Sequence, residues 1–227
     1  MIIAELCSCR QSGQLKPDKH ASDLETMDSI KNDERQKALI NNLERYIDTE
    51  YKYIDSTGKV ITIQNSFPKG GGDIDGIRGY TDANGIQYGH GIFWTRVINE
   101  TAIPLELKIN FPADSMAITS CPDAYYKLFL PPDTITISKL SQYNYGITGL
   151  RNFLDTNFNK STRLQRIINP DEEYIFCIVL LVHLPDNGPI RTGFIAEGHD
   201  LFYNVSIEPF GSTLIPCGQL FLKTENK

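Results

Sequence analysis

Residues Leu105-Glu106-Leu107-Lys108-Ile109-Asn110-Phe111 alternate apolar and polar without a break. Successive side chains of an extended chain point to opposite faces, so the four apolar residues share one face and Glu106, Lys108 and Asn110 share the other. A helix would scatter the same apolar set around its circumference. One dry face and one wet face is the pattern of an antiparallel sheet packed on one side. Further strands are predicted at 60–64, 87–98, 115–119, 125–130, 164–168, 174–183, 190–196, 201–207 and 219–223. Breakers separate them: Phe111-Pro112, Pro131-Pro132, Asn169-Pro170, Asn187-Gly188 and Pro216-Cys217-Gly218. Many short strands with regular turn signals predict a mostly β chain folded as an antiparallel sandwich or barrel.

Two segments carry a helical period instead. Over 30–55, Ala38, Leu39, Leu43, Tyr46 and Ile47 recur at steps of three and four, while Asp33, Glu34, Lys37, Glu44, Arg45 and Asp48 fill the opposite face. Ser22-Asp23-Leu24-Glu25 has the form of a capping box and marks an alternative earlier start. The apolar stripe either docks on the sandwich or forms a partner interface. Near 148–155, Thr148 is placed to cap a short helix whose Leu150, Phe153 and Leu154 share a face. The resulting organisation is a flexible tether or truncated signal remnant at 1–28, an amphipathic helix at 29–55 and a β-sandwich domain at 56–227.

The net charge of -6, from 22 basic and 28 acidic residues, excludes the basic footprint of a nucleic-acid binder. The longest apolar run, 175–182, has the length of a strand and is too short to span a bilayer. Five cysteines show no CxxC or Cys/His zinc spacing. Cys177, inside Phe176-Cys177-Ile178-Val179, reads as a small core residue. Cys121 and Cys217 adjoin prolines in predicted loops, and their pairing depends on a distance that sequence does not give.

Leu6-Cys7-Ser8-Cys9, followed by polar Arg10-Gln11-Ser12-Gly13-Gln14, resembles a bacterial lipobox. The resemblance implies acylation of Cys9, a cell-envelope location, and membrane contact only through that lipid anchor. The pattern departs from the family in lacking a basic n-region and in carrying Glu5 inside a short apolar run. A start further upstream would account for both; the alternative is a cytoplasmic protein with two cysteines in its terminus. A second resemblance lies in Val97-Ile98-Asn99-Glu100-Thr101 followed by Pro104-Leu105-Glu106-Leu107, and in Asn169-Pro170-Asp171-Glu172 before the strand at 174–182. These steps resemble immunoglobulin-like accessory modules of periplasmic chaperones and bacterial surface proteins. An immunoglobulin-like antiparallel β-sandwich, with an N-terminal helix and a short inserted helix, is the fold this implies. The fold hosts many roles and names none.

Candidate sites are few. Pro68-Lys69-Gly70-Gly71-Gly72-Asp73-Ile74-Asp75-Gly76 lacks the closing Lys-Ser/Thr of a phosphate loop and the spacing of an EF-hand. Asp73, Asp75, Asp82 and Asn84 still supply oxygens that could gather around Ca²⁺; the plain alternative is a loop and an Asn-Gly hairpin turn at 82–85. In Gly89-His90-Gly91-Ile92-Phe93-Trp94, alternation puts Tyr88, His90, Ile92 and Trp94 on one side, an aromatic face suited to stacking on a sugar or other planar ligand. The alternative is a core strand centred on Trp94, with the flanking glycines marking a bulge at His90. His199-Asp200 shows no metal spacing with His90, no Gly-x-Ser-x-Gly elbow is present, and Asp171-Glu172-Glu173 reads as a solvated turn. The Asn-x-Ser/Thr triplets at Asn99, Asn159 and Asn204 are common by chance.

Two functions follow as expectations. The first is a non-catalytic cell-envelope protein that contacts a protein or glycan partner. The second is a hydrolase or metal-dependent enzyme built on polar loops around Asp73, Asp75, His90 and His199.

Overall fold

A computed structural model describes residues 43–54, 58–118, 120–132, 135–184 and 188–223. The chain divides into residues 1–41 and 42–227, and all described residues belong to the second unit. The predicted tether, Cys9 and the helix segment 30–42 lie outside the described residues.

The elements in chain order are β1 (Ile47–Ile54), β2 (Val60–Ser66), β3 (Lys69–Gly70), β4 (Asp73–Ile74), β5 (Ile77–Arg78), β6 (Tyr80–Thr81), β7 (Gln87–Asn99), β8 (Leu105–Phe111), β9 (Met116–Ile118) and β10 (Cys121–Phe129). Then come α1 (Leu150–Asn157), β11 (Thr162–Ile168), β12 (Glu172–His183), β13 (Ile190–Glu197), β14 (Asp200–Ile207) and β15 (Gly211–Leu222). The first sheet runs β1-β2-β7-β12-β10-β9; the second runs β11-β8-β15-β14-β13. All neighbours are antiparallel. One flank of β7 is served by three segments in turn, β2 along Thr95–Asn99, β3 at Gly91 and Ile92, and β6 at Gln87 and Tyr88. The chain leaves β12 for the far edge of the second sheet and returns through β14 and β15 to β8.

The two sheets bury their facing residues in one core. Leu105, Leu107, Ile109 and Phe111 of β8 all lie in it, opposite Phe93, Tyr126, Phe176, Ile178 and Leu180 of the first sheet. Alternation therefore read β8 correctly. Glu106 is nevertheless only 9% exposed, because Gln165 donates to it at 2.8 Å and Lys108 reaches it at 3.1 Å across the outer face. The first sheet has a second covered face. Ile175, Cys177, Val179 and Leu181 of β12 pack there with Ile92, Trp94, Phe129, Leu150 and Leu154. Burial on both faces is why 175–182 is apolar without alternation.

The sheets meet along β2 and β13, where they curl into a half-barrel. The Asn65 side chain, 1% exposed, donates to the Phe194 carbonyl at 3.1 Å and accepts the Phe194 N–H at 2.9 Å. The amide thus imitates a neighbouring strand. Tyr53 Oη accepts the Ala196 N–H at 2.7 Å beside it. Together they occupy the edge of β13 that would otherwise offer an open ladder. Gly193 is required there, since a Cβ would lie 2.7 Å from the Asn65 amide nitrogen.

Three local expectations are corrected. Residues 47–54, assigned by spacing to the end of a helix, form β1 on β2. Leu43 and Glu44 are helical and Leu43, Tyr46 and Ile47 face one core, but the chain turns at Arg45-Tyr46 and enters the ladder to β2. No bulge occurs at His90; the β7–β12 register runs unbroken from Asn99 to Gly89. The last strand begins at Gly211 rather than 219, running through Pro216. A register shift between Leu201 and Phe202 accommodates it: Phe202 pairs with Pro216, and β8 pairs only from Gly218 onward.

Candidate functional site

The layer over the second face of the first sheet contains α1, together with turns at Ile137–Lys139 and Tyr143–Gly146. α1 buries Leu150 and Leu154 against the sheet. Its start is not capped by Thr148. Gly149 occupies the cap at φ 66°, and Asp75 Oδ2 accepts the Arg151 N–H at 2.9 Å from the β4–β5 turn. Arg151 in turn donates to the Gly79 carbonyl at 2.8 Å. The β4–β5 excursion is thereby tied to the helix.

Between α1 and Pro131-Pro132 lies a groove of about 290 Å³. Pro131, Pro132, Ile147, Leu150 and Phe153 form its apolar part; Thr148, Asn152, Thr156 and Asn157 form its polar part. No ionisable side chain lines it among the described residues. The Phe153 ring is held edge-on against Phe129, with centroids 6.4 Å apart. Thr156 donates to the Asn152 carbonyl and Asn157 to the Phe153 carbonyl, each at 2.8 Å. The Thr148 hydroxyl and the Asn152 amide have no hydrogen-bond partner among the described residues and are exposed. Two other concavities, of about 40 and 50 Å³, hold little more than water.

A second concentration of polar and aromatic groups surrounds Tyr88. Its ring lies 5.9 Å from Tyr125, 6.0 Å from His183 and 5.6 Å from Phe158. Its hydroxyl sits 3.4 Å from both Asp82 Oδ2 and the Tyr125 hydroxyl. Burial, reinforced by the Tyr125 and Asp82 oxygens, pushes the Tyr88 phenol well above the ordinary tyrosine value. Lys127 covers Phe158 at 4.5 Å and donates to the Ala113 carbonyl at 2.6 Å, and burial lowers its pKa. These groups hold one another, and the cluster packs the end of the sheet.

The structure disperses the residues singled out from sequence. Tyr88 and Trp94 lie in the same core, and Trp94 is 0% exposed, so no ligand reaches its face. An aromatic group with a histidine does exist at Tyr88, but the histidine is His183. His90 is 6% exposed with both ring nitrogens unpartnered among the described residues, and burial lowers its pKa. Asp82 Oδ1 accepts the N–H groups of Asn84 and Ile86, each at 2.9 Å, which shapes the turn at 82–85. Asp75 caps α1, and Asp73 pairs with Arg78 in the small hairpin. Among the described residues no three His, Cys, Asp or Glu side chains form a metal-holding group, so Asp73, Asp75 and Asp82 are not gathered. His199 lies in the turn of the second sheet, against Phe221 at 6.4 Å. Cys121 and Cys217 are not joined; Cys217 is buried, donates to the Leu201 carbonyl at 3.3 Å, and burial pushes its thiol up to about 12. The glycine run serves contact within the fold: at Gly70 a Cβ would lie 2.7 Å from the His90 carbonyl. Lys69 beside it donates to the carbonyls of Leu140 and Gln142 at 2.5 and 2.8 Å, beneath the rings of Tyr46 and Tyr145.

No model of a known protein family matches this chain, and no curated protein matches it. The groove was missed in sequence because its walls come from segments with no shared period. Pro131-Pro132 read as a breaker and Phe153 as a helix-core residue, and neither reading pointed to a shared wall.

Proposed function

We propose that the chain is a non-catalytic binding module of the cell envelope, an immunoglobulin-like sandwich tethered through acylated Cys9. One observation carries the non-catalytic reading: the groove of about 290 Å³ between α1 and Pro131-Pro132 has no ionisable lining among the described residues. General acid–base or nucleophilic chemistry needs such a group within hydrogen-bond reach of the substrate. The enzyme alternative around Asp73, Asp75, His90 and His199 has no convergent geometry to rest on, since Asp75 serves a helix cap and His199 packs edge-on against Phe221 of the second sheet. The immunoglobulin-like reading rests on the order β2-β7-β12-β10, which parallels strands A-B-E-D. The meander β13-β14-β15 differs from the usual F and G pair.

Two measurements test this reading. Chromogenic esters, phosphate esters and glycosides, offered with and without divalent cations, should show no turnover above a heat-denatured control. Turnover that disappears in Asp75→Asn or His199→Ala would sink it. With a complete signal sequence added upstream, the protein should enter the membrane fraction, Cys9→Ser should release it, and Cys7→Ser should change little. No helix among the described residues is long and apolar enough to cross a membrane, so a Cys9→Ser protein that stayed membrane-bound would contradict the anchor.

A further inference from the structure

We infer that the groove between α1 and Pro131-Pro132 binds an uncharged oligosaccharide, an inference that rests on the binding-module reading above. The lining divides as a sugar does. Pro131, Pro132 and Phe153 present rigid C–H and ring faces, and the apolar side of a pyranose packs on such surfaces. Phe153 is fixed by Phe129, and proline rings have little freedom to lose, so binding orders few groups. Thr148 and Asn152 supply a hydroxyl and an amide with no internal partner, each able both to donate and to accept. Sugar hydroxyls also do both, so they match without a fixed direction of bonding. A charged ligand finds no counter-charge in the described lining.

The volume, about 290 Å³, lies near the lower end of small-ligand sites, roughly 300–1,000 Å³. It suits a short oligosaccharide end better than a folded partner. A peptide recognised by adding to a strand edge finds no edge here, since no strand among the described residues contributes to this lining. The groove also opens beside the layer that covers the first sheet, so occupying it disturbs neither core.

The test is calorimetry on the full chain with neutral oligosaccharides of hexose and N-acetylhexosamine units, at low and high salt. Binding should be insensitive to salt, since no ion pair forms. Asn152→Ala and Thr148→Val are exposed substitutions that leave the core intact; each should weaken binding about three- to tenfold, the value of one hydrogen bond. Phe153→Ala should abolish it. His199→Ala, on the other sheet, should bind as the parent does. Affinity unchanged from the parent in both Asn152→Ala and Thr148→Val would overturn the location. Absence of binding across the panel would overturn the ligand class; capture of a defined peptide that Asn152→Ala releases would do the same while leaving the module reading intact. Shortening of the oligosaccharide during titration would overturn the non-catalytic reading itself.

Discussion

The two central strands β8 and β12 belong to facing sheets and share one core, yet their sequences follow different rules. β8 buries every second side chain in that core and turns Lys108 and Asn110 to the outside. β12 buries one set, Phe176, Ile178 and Leu180, in the shared core and the other, Ile175, Cys177, Val179 and Leu181, beneath α1 and its turns. A strand alternates when one of its faces meets water and runs apolar when neither does. The third layer, then, was already written into β12.

The largest effects should come from β12. Ile178→Asp and Val179→Asp point to opposite faces and should be equally damaging, each leaving an unpaired buried charge that costs several kcal/mol, enough to unfold a marginal domain. Denaturant melts would break the three-layer reading if Val179→Asp were mild. In β8 the same test should split by face. Leu107→Ala should cost about 2–5 kcal/mol as a core truncation, and Leu107→Asp more. Asn65→Ala tests the seam between the sheets: leaving the Phe194 N–H and carbonyl unpaired should cost about 1–3 kcal/mol, read as a lower denaturation midpoint with the slope unchanged.

The pH dependence contrasts the buried layer with the wet face. His90 is held neutral because burial opposes its charged form. Its folded pKa lies below the ordinary imidazole value of 6.5, so the folded state binds fewer protons than the unfolded one between those two values. Stability is full above pH 6.5 and falls as pH drops below it. A His90→Gln variant should flatten that slope; an unchanged slope would show that His90 does not titrate there. Glu106→Ala should have the smallest effect. Lys108, and after it Gln165, hold the carboxyl below its ordinary pKa, but on the outer face both partners can turn to water. A midpoint shift comparable to that of Leu107→Ala would undo the assignment of faces.

Legibility followed the range of the interactions. The limits of β8 match the alternating segment residue for residue, and the helix near 148–155 appears as α1, shifted by two residues. The features behind the second resemblance meet in space: Asn99 donates to the Ile168 carbonyl, and the Asp171 N–H donates to the Asn99 carbonyl. That apposition explains a buried Asn in a triplet that otherwise resembles a glycosylation signal. The candidate site was poorly legible. Trp94 and His90 drew notice by residue type but are buried, whereas Asn152 and Pro131 matter because α1 folds back against the end of β10.

By itself the sequence determined most of the long strands and the inward face of β8, because a period of two is a local property of the chain. The tertiary structure alone decided that Ile47–Ile54 would pair as β1, that Asn65 would close the edge of β13, and that Asp75 would cap a helix far along the chain. Each of these joins backbone or side-chain groups whose partner lies in another element. No spacing within one segment encodes which distant N–H a carboxylate will meet.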